Sequence, residues 1–339
     1  MKSFICSVLL GAAALLAAPH ARGVVSIDYV TVGNAGNAND TTGFGGVASV
    51  FGIGKYEVTN AQYTEFLNMV DPAGGNSFSL YNANMSSSAR GGINFNSGAA
   101  AGSKFSLKAG YDNRPVVYVS YLDAMRFANW LGNRQGSGST ETGAYTLASG
   151  GLAGRNPGAT VWIPSENEWY KAAYHQPTAQ GGDVDNYWIY PTGSNTEPNS
   201  RPGNSTDPNS ANFKRDDSSP DDFLNDGYAT TGSPVFNNAA PYLTNVGAYT
   251  QADSFYGTFD QGGNVFEWND TVISSSRGLR GGSWDSFNFY LQPTDRDGYG
   301  SGLETDDIGF RLATVPEPTV AVSLMLGFVV MASLRKRPF

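Results

Sequence analysis

The stretch that decides the fold is Gly262-Gly263-Asn264-Val265-Phe266-Glu267-Trp268, followed by Arg280-Gly281-Gly282-Ser283-Trp284. Paired glycines allow positive φ or close backbone approach, and tryptophans bury large areas. Glu267 stands between two aromatic residues, where an unpaired carboxylate would be costly. The stretch therefore predicts either a catalytic site, a cation site or a packed corner, and in each case Glu267 needs a partner.

Both ends of the 339-residue chain have the composition of targeting segments. Residues 1–23 combine a basic start, an apolar run and small residues, which predicts a secretory signal peptide rather than the alternative of a core helix. Residues 315–339 place an apolar run before a basic cluster, and the run is short for a membrane span of about 20 residues. Residues 24–314 remain as one domain.

The composition excludes several kinds of chemistry. The net charge of −9 argues against a nucleic-acid partner, which would need a basic face, and fits cations or solubility. Cys6 is the only cysteine and lies in the predicted signal peptide, so the mature chain has no disulfide and no thiolate. The histidines are His20 and His175, which excludes most histidine-ligated zinc, copper and iron centres.

Three segments begin with a capping residue followed by an acid or amide three positions later, as at the start of a helix. The pairs are Thr59 with Gln62, Ser120 with Asp123, and Ser165 with Glu168. Strands are predicted at residues 24–32, 47–56, 114–119, 161–164, 242–249, 281–284 and 308–313. Long irregular loops occupy residues 73–110, with one hairpin, and residues 176–245. Loops of that length usually have a function or are held by ligands, which favours structural cations.

Seven motifs in order resemble the formylglycine-generating enzyme, or sulfatase-modifying factor, family from about residue 47 to residue 314. They are GKYEVTN (54–60), RPVVYVS (114–120), ANWL (128–131), PSENEW (164–169), GNVFEW (263–268), RGGSW (280–284) and GFR (309–311). The resemblance implies an irregular α+β fold related to C-type lectins, with few short strands and helices, long loops and bound Ca²⁺.

The segment at residues 315–339 resembles the PEP-CTERM sorting signal of Gram-negative bacteria. That resemblance implies export, anchoring in the inner membrane through the C-terminal segment and processing by an exosortase. The destination would be the periplasm, the cell surface or the extracellular matrix. An uncleaved tail anchor is the alternative.

The family's oxidase chemistry needs two copper-binding cysteines shortly after the RGGSW motif. Ser286 and Leu291 occupy those positions. A hydroxyl is a poor ligand for Cu(I) and a leucine is none, because Cu(I) selects soft sulfur. We therefore expect no copper and no formylglycine-type oxidation.

The family's calcium ligands map onto oxygen donors, which Ca²⁺ requires. The first site would use Asp260, the carbonyls of Gly263 and Val265, and Glu267. The second site would use Asn212, Phe213, Asp226 and Tyr228. For Glu267 the alternative is a salt bridge to Arg280 or Arg311.

The segment after RGGSW would form the mouth of a binding cleft. Its predicted residues are Trp284, Asp285, Ser286, Phe287, Phe289, Tyr290 and Arg296. Aromatic rings beside Asp and Arg are typical of recognition surfaces. The alternative is that these rings pack beneath the loop.

Other prominent side chains have structural interpretations. His175 would end a helix as a cation that suits the C-terminal dipole. Glu166 and Glu168 would be helix caps rather than an acid–base pair. Trp130, Trp162 and Trp169 would lie in the core.

The sequence thus predicts an exported, non-catalytic, calcium-stabilised module that binds a glycan or a protein at the cell envelope or in exopolysaccharide. The alternatives are an enzyme of the family with altered chemistry, using carboxylates or Ser286, and a purely structural surface protein.

Overall fold

The computed structural model describes residues 24–136, 138–203, 206–215 and 227–316. The predicted signal peptide, most of the predicted sorting tail and Asp226 lie outside these residues. The helices are α1 (Asn60–Val70), α2 (Asn84–Ser87), α3 (Tyr121–Gly132) and α4 (Glu166–Tyr174). The strands are β1 (Tyr29–Val32), β2 (Phe51–Gly54), β3 (Ile93–Phe95), β4 (Phe105–Leu107), β5 (Val161–Trp162), β6 (Asn199–Ser200), β7 (Ser210–Ala211), β8 (Lys214–Arg215), β9 (Gly227–Tyr228), β10 (Phe266–Ile273), β11 (Ser276–Arg280), β12 (Asp297–Tyr299), β13 (Ile308–Gly309) and β14 (Ala313–Thr314). This mixture of short elements and long loops confirms the α+β class.

Helices α1, α3 and α4 begin where the sequence predicts. Thr59, Ser120 and Ser165 each accept a hydrogen bond from the backbone amide three residues later, and the side chain at that position bonds back. These capping boxes satisfy amide groups that the first helical turn leaves open.

The first sheet has the strand order β1-β2-β14-β5, all antiparallel. Strand β14 comes from the end of the domain and lies between β2 and β5. Ala313 pairs with Ile53 on one side and Trp162 on the other. Both termini of the described chain therefore meet in one sheet.

The second sheet has the order β12-β11-β10-β13. The β10–β11 hairpin is its centre, with a register shift between Asn269 and Val272. Strand β13 pairs parallel to the start of β10, so that Gly309 lies beside Glu267. The predicted corner at residues 262–268 thus leads into the longest strand of the fold, which the sequence analysis did not predict.

Three of the predicted strands are absent, and a fourth is divided between two strands. Residues 114–119 form a connector, because Tyr118 has φ +61° and donates its amide to Thr305. Residues 242–249 are a loop whose Thr244 amide bonds the Asn264 side chain. Residues 281–284 cannot extend β11, since Gly281 has φ +100°. Residues 308–313 divide into β13 and the start of β14, which belong to different sheets.

The two strands predicted at residues 24–32 and 47–56 are present as the shorter strands β1 and β2. The hairpin expected within residues 73–110 is present as β3 and β4. The aromatic core lies between α1, α3 and the sheets, where Phe127 contacts Phe66 and Phe310 edge-on. Trp130, Trp162 and Trp169 are buried, which confirms their core assignment. None of the described helices has the length and apolar character needed to cross a membrane.

Candidate functional site

Glu267 lies at the start of β10 and is fully buried. Its two carboxylate oxygens accept hydrogen bonds of 2.6 Å each from the Arg311 guanidinium. Trp169 Nε1 donates a third, at 2.8 Å. Of the two salt-bridge partners that the sequence offers, the structure selects Arg311, because β13 places residues 309–311 beside β10.

Arg311 joins three parts of the molecule. Its Nη1 donates to the Gly54 carbonyl at the end of β2, and its Nη2 donates to the Phe259 carbonyl. A fully buried guanidinium needs a hydrogen-bond acceptor for its N–H groups, since leaving these donors unpaired would be costly. The Glu267–Arg311 pair therefore fastens the first sheet to the corner that precedes the second.

Two more acids lie close to this pair. Burial raises the pKa of Glu57 well above its usual range, and the charge of Asp260 raises it further. Burial also raises the pKa of Asp260 to about 6. Glu57 Oε1 accepts from Asn264, whereas its Oε2 is buried and has no hydrogen-bond partner among the described residues. Three carboxyl groups thus lie around one guanidinium, and the raised pKa of Glu57 and of Asp260 shows that Arg311 does not compensate the charged forms of all three.

The backbone of the first predicted calcium site is tightly bent. Asp260 and Asn264 have φ near +60°, and Gly263 has φ +86°. Asp260 Oδ2 accepts from the Gly247 amide. The predicted ligands Asp260, Gly263, Val265 and Glu267 follow one another through this bend, and their role as calcium ligands stays a prediction.

The second predicted calcium site adjoins the first through Asn212. This residue forms an isolated parallel bridge with Gly263, and its amide nitrogen donates to Tyr242 and Asn264. The Phe213 carbonyl accepts from Ser200 Oγ. Tyr228 packs on Tyr242, with 4.5 Å between the ring centroids. The one carboxylate of this set, Asp226, lies outside the described residues.

Side chains alone do not form a metal centre in the part of the chain that the structure describes. No group of three His, Cys, Asp or Glu side chains there could hold a metal ion. The first predicted site takes two of its four ligands from backbone carbonyls, and Glu267 is engaged by Arg311. The donor set therefore has suitable oxygen chemistry for calcium, with Asp260 as the acid that is free of a salt bridge.

The position expected for the first cysteine is filled by a serine with local bonds. Ser286 is buried, and its Oγ accepts from the Ser283 amide at 2.9 Å and contacts Ser283 Oγ at 3.2 Å. Among the described residues its hydroxyl bonds no histidine, lysine or carboxylate side chain. A serine without a base is a weak nucleophile.

The position expected for the second cysteine is apolar. Leu291 is fully buried and forms a hydrophobic cluster with Tyr190, Ala211 and Phe213. A Cβ on Gly282 would lie 2.8 Å from Leu291 Cδ1, so the leucine fills the space beneath the glycine pair. Neither position offers a soft ligand for copper.

The residues of the predicted cleft divide into buried and exposed groups. Trp284 is buried, and its ring stacks on Tyr242 at 4.5 Å with 3° between the planes. Its Nε1 donates to the Asp306 carbonyl at 3.2 Å. Trp284 and Ser286 therefore follow the alternative, in which side chains pack beneath the loop.

The more accessible group consists of one exposed ring, Phe289, and two half-buried rings, Phe287 and Tyr290, which together we call the aromatic ledge. Phe289 is 49% exposed and lies 4.3 Å from Tyr290 between ring centroids. Lys214 Nζ is 5.3 Å from the centre of the Phe287 ring. Asp285 is exposed nearby in sequence. The ledge thus combines rigid rings with charges of both signs.

Arg296 is engaged in a buried ionic cluster. Glu166 accepts hydrogen bonds from both Arg280 and Arg296, at 2.7 Å to each. Phe44 packs against both guanidinium groups at 5.0 Å. The expectation that Glu166 is a simple helix cap is wrong, because Arg280 at the end of β11 and Arg296 just before β12 both bond to it. The spacing of these residues in the sequence gave no signal of this.

Glu168 is a cap, as expected. Its Oε2 accepts from the Ser165 amide at 2.8 Å and from Trp162 Nε1 at 3.1 Å.

His175 ends α4, but the expectation that it is a cation is wrong. Burial, together with the smaller effect of the Lys171 charge, lowers its pKa to about 4. Its Nδ1 lies 2.7 Å from Tyr256 Oη. The imidazole is therefore neutral at pH 7 and forms a hydrogen bond in the interior.

The fold and the site define a class: an irregular α+β domain whose expected redox position is occupied by serine and leucine. A family model, the sulfatase-modifying factor enzyme 1-like domain, matches residues 36–315, and the chain belongs to this family. The resemblance seen in the seven motifs is thereby confirmed.

Two curated relatives carry the name inactive C-alpha-formylglycine-generating enzyme 2. The protein from Mus musculus is 29% identical over 209 residues, which cover 59% of this chain and 49% of that protein. The protein from Bos taurus is also 29% identical over 209 residues, covering 50% of its length. The chain spans about half the length of these relatives. Among solved structures, CarF superposes with a TM-score of 0.51 at 20% identity, over 86% of this chain and 99% of CarF, a likeness in fold alone.

Proposed function

We propose that this protein is a non-catalytic member of the sulfatase-modifying factor family that binds a glycan or a protein. The observation that carries the proposal is Leu291, fully buried in an apolar cluster where the family's chemistry would need a thiolate. The relatives named inactive support the same conclusion. An oxidase without soft ligands cannot hold Cu(I).

The aromatic ledge is the surface that we propose for binding. Phe287, Phe289 and Tyr290 offer rigid contact area at little conformational cost, and Lys214 and Asp285 supply charges beside them. Accessible aromatic rings grouped in this way are typical of contact residues at interfaces. The relation to C-type lectins belongs to this proposal, since it would place a ligand surface on the same loop.

Calcium is the cofactor that we propose for the corner beneath the ledge. Asp260, the carbonyls of Gly263 and Val265, and the remaining lone pairs of Glu267 would hold one ion. The raised pKa values of Glu57 and Asp260 support it, because Arg311 alone does not compensate these carboxyls and a divalent cation would stabilise their charged forms. Asn212, Phe213, Tyr228 and Asp226 remain the proposed second site.

Export remains part of the proposal. The signal peptide at residues 1–23 and the PEP-CTERM-like tail at residues 315–339 would bring the domain to the envelope, where an exosortase would process the tail. Mass spectrometry of the protein recovered from its host would locate both ends of the mature chain. An intact chain that stays in the cytoplasm would contradict this part.

The absence of catalysis is tested on the purified chain with Cu(I) and a cysteine-containing peptide. We expect no stoichiometric copper binding and no conversion of the cysteine to an aldehyde. A peptide with serine in place of cysteine gives the background. Clear turnover above that background would overturn the proposal and favour the alternative, an enzyme with altered chemistry.

Binding at the ledge is tested on a glycan array and by pull-down from envelope fractions, comparing the wild type with Phe289→Ala. Phe78→Ala is the matched control, because Phe78 is also an exposed ring, at 44% exposure, and lies outside the ledge. We expect Phe289→Ala alone to lose the ligand. Equal binding by all three proteins would exclude the ledge, and no binding by any would favour a purely structural role.

A further inference from the structure

A cavity of about 380 Å³ lies beside the C-terminal end of α4. Its walls are the loop at residues 34–39, the segment at 175–177 that follows α4, and the turn at residues 185–187. The volume lies within the range of about 300–1,000 Å³ that small-molecule sites have. None of the lining residues belongs to the predicted cleft, to the aromatic ledge or to either predicted calcium site.

The three walls of the cavity are bonded to one another. Tyr187 Oη donates to the Ala38 carbonyl at 2.7 Å, which joins the turn to the loop. His175 forms an antiparallel bridge with Tyr187, which joins the turn to the end of α4. Lys171 Nζ in α4 donates to the Asn34 carbonyl at 2.8 Å. The cavity is therefore a preformed feature of the fold.

His175 presents a ring nitrogen to this cavity. Its Nδ1 lies 2.7 Å from Tyr256 Oη, whereas its Nε2 has no hydrogen-bond partner among the described residues. The residue is 4% exposed, and Nε2 is not one of the fully enclosed side-chain atoms that lack a partner there. Nε2 therefore keeps accessible surface, and this surface lies where His175 lines the cavity.

The other two walls also offer polar atoms for a ligand. Asp185 Oδ1 accepts from the Tyr187 amide at 3.1 Å, and its Oδ2 has no hydrogen bond among the described residues. Asn34 is bonded to Lys171 through its backbone carbonyl, which leaves its side-chain amide without a partner there. Asp185 and Asn34 are exposed and line the cavity, so a ligand can reach both from solvent.

The charges around the cavity do not favour an ion of either sign. None of the described lining residues is a lysine or an arginine, and Asp185 is a carboxylate at the rim. An anion would therefore meet a like charge. Lys171 is fully buried behind the loop, and its charge is close enough to lower the pKa of His175. A cation would be repelled by that charge, so a neutral ligand fits best.

The polar atoms select hydroxyl groups. Asp185 Oδ2 can only accept, the Asn34 amide both donates and accepts, and His175 Nε2 does one or the other according to its tautomer. A hydroxyl group donates and accepts, so it suits all three in either tautomer. Ala35 and Pro177 add apolar surface between these groups, which suits the carbon–hydrogen face of a ring.

We propose that this cavity binds one neutral sugar unit, with Asp185, Asn34 and His175 Nε2 on its hydroxyls. The unit could be a free sugar or part of a neutral polysaccharide, since both present the same uncharged, hydroxylated ring. The site is separate from the aromatic ledge, and its failure would leave the proposed function at the ledge unaffected.

The test is isothermal titration of the full chain with glucose, galactose and mannose, each beside its uronate and its amino sugar, and with glycerol. We expect one neutral hexose to bind at least about tenfold more tightly than its charged derivatives and than glycerol. Equal affinity for a charged derivative or for glycerol, or no affinity for any of the three hexoses, would overturn the proposal. The methyl glycoside of the preferred hexose distinguishes the sources: a unit within a chain tolerates the methyl group, and a free sugar does not.

Variants of the polar groups locate the site. Asp185→Ala should weaken hexose binding at least about tenfold, because it removes a charged acceptor. Asp185→Asn should narrow the preference for the hexose over its uronate, because the repelling charge is gone. Asn34→Gly should weaken binding about fivefold, and glycine suits the backbone there, where φ is +53°. Asp253→Asn is the matched control, because Asp253 is exposed and outside the cavity.

A second set of variants tests the space rather than the polar groups. Ala35→Leu fills part of the cavity and leaves every polar group in place, so it should abolish binding, whereas Ala48→Leu, at an exposed position outside the cavity, should not. Phe289→Ala on the ledge should leave hexose binding unchanged. Unchanged binding by folded Asp185→Ala or folded Ala35→Leu would contradict the site.

Discussion

Asn212 and Gly263 form an isolated parallel bridge, and the Asn264 amide donates to the Asn212 carbonyl at 2.8 Å. A Cβ on Gly263 would lie 2.3 Å from that carbonyl oxygen. The two residues belong to the two predicted calcium sites, so the sites share one backbone contact that only glycine permits.

Gly263→Ala should lower the free energy of unfolding by about 3 kcal/mol, because it combines backbone strain at φ +86° with overpacking. Gly43→Ala is the control: Gly43 has φ +88° but open space around its Cβ position. That variant should lose about 1 kcal/mol, the strain alone. Urea denaturation measures both, and equal losses would show that the Asn212 contact is unimportant.

The second prediction concerns the loss of stability when the Glu267–Arg311 pair is broken. Removing either partner leaves a buried charge, so Glu267→Gln or Arg311→Met should each cost about 3–5 kcal/mol in unfolding free energy. The double variant should cost clearly less than the two losses added together, since no charge is left unpaired. Additive losses in this double-mutant cycle would contradict a direct coupling. Glu141→Gln, in a partly buried ion pair with Arg126, should cost less, about 1 kcal/mol, because solvent still reaches the carboxylate.

Calcium removal is a third prediction. A ligand at about 100 times its Kd adds about 2.7 kcal/mol to stability. The melting temperature should therefore fall by several degrees when a chelator is added. Asp260→Asn should melt at the same temperature with and without chelator, whereas Asp112→Asn, an exposed control, should behave as the wild type does. A wild type indifferent to chelator would exclude a structural calcium.

Because His175 is neutral in the folded chain, the stability of the protein should depend on pH. Its pKa falls from an ordinary 6.5 to about 4 in the folded chain. Between pH 4 and pH 6.5, His175 takes up a proton in the unfolded chain but not in the folded chain. The stability that comes from the neutral, buried His175 is therefore complete above pH 6.5 and is lost as the pH falls towards 4. The difference in melting temperature between wild type and His175→Gln should therefore be larger at pH 7.5 than at pH 5.

The His175 titration can also be followed directly. The chain has two histidines, so the imidazole resonances can be assigned with the His175→Gln variant. A midpoint near 6.5 in the folded protein would show that the ring is solvated and contradict the prediction. The carboxyls of Asp260 and Asp270, whose pKa values burial raises to about 6, act with the opposite sign, and the difference between variants removes their effect.

Alanine substitutions in the buried and the accessible parts of the predicted cleft should lower stability by very different amounts. Trp284→Ala removes a ring stacked on Tyr242 and should cost about 3–5 kcal/mol in unfolding free energy. Phe289→Ala removes a half-exposed ring and should change stability by about 0.5 kcal/mol or less. Chemical denaturation of both variants checks this. A large loss for Phe289→Ala would show that the ledge is part of the core.

The three longer helices could be predicted because their signals are local, whereas the four-residue α2 was not predicted. Thr59, Ser120 and Ser165 each determine a helix start through a side chain three residues away. The bounds and partners of the strands were harder to predict, because strand pairing depends on distant segments. Residues 308–313 read as one strand, but Arg311 must lie between the sheets to reach Glu267, which divides the segment into two strands.

The β10–β11 hairpin had a signal that could have been used. Val272 and Ile273 favour a strand, and Ser274 and Ser275 form the turn before β11. The sequence held no comparable signal for which groups pair with the buried charges. Glu166 and Glu168 look alike at the start of α4, yet one accepts from two arginines more than 110 residues away and the other from its own cap.

The position of β14 determines when the protein can fold. Because Ala313 and Thr314 occupy an inner place in a sheet otherwise built from residues 29–162, the N-terminal half cannot complete its hydrogen bonding until nearly the whole domain has left the ribosome. Contacts at such sequence separation slow folding. A chain released before Ile308 would lack strands of both sheets, whereas proteolysis after Pro316 would leave every described strand paired.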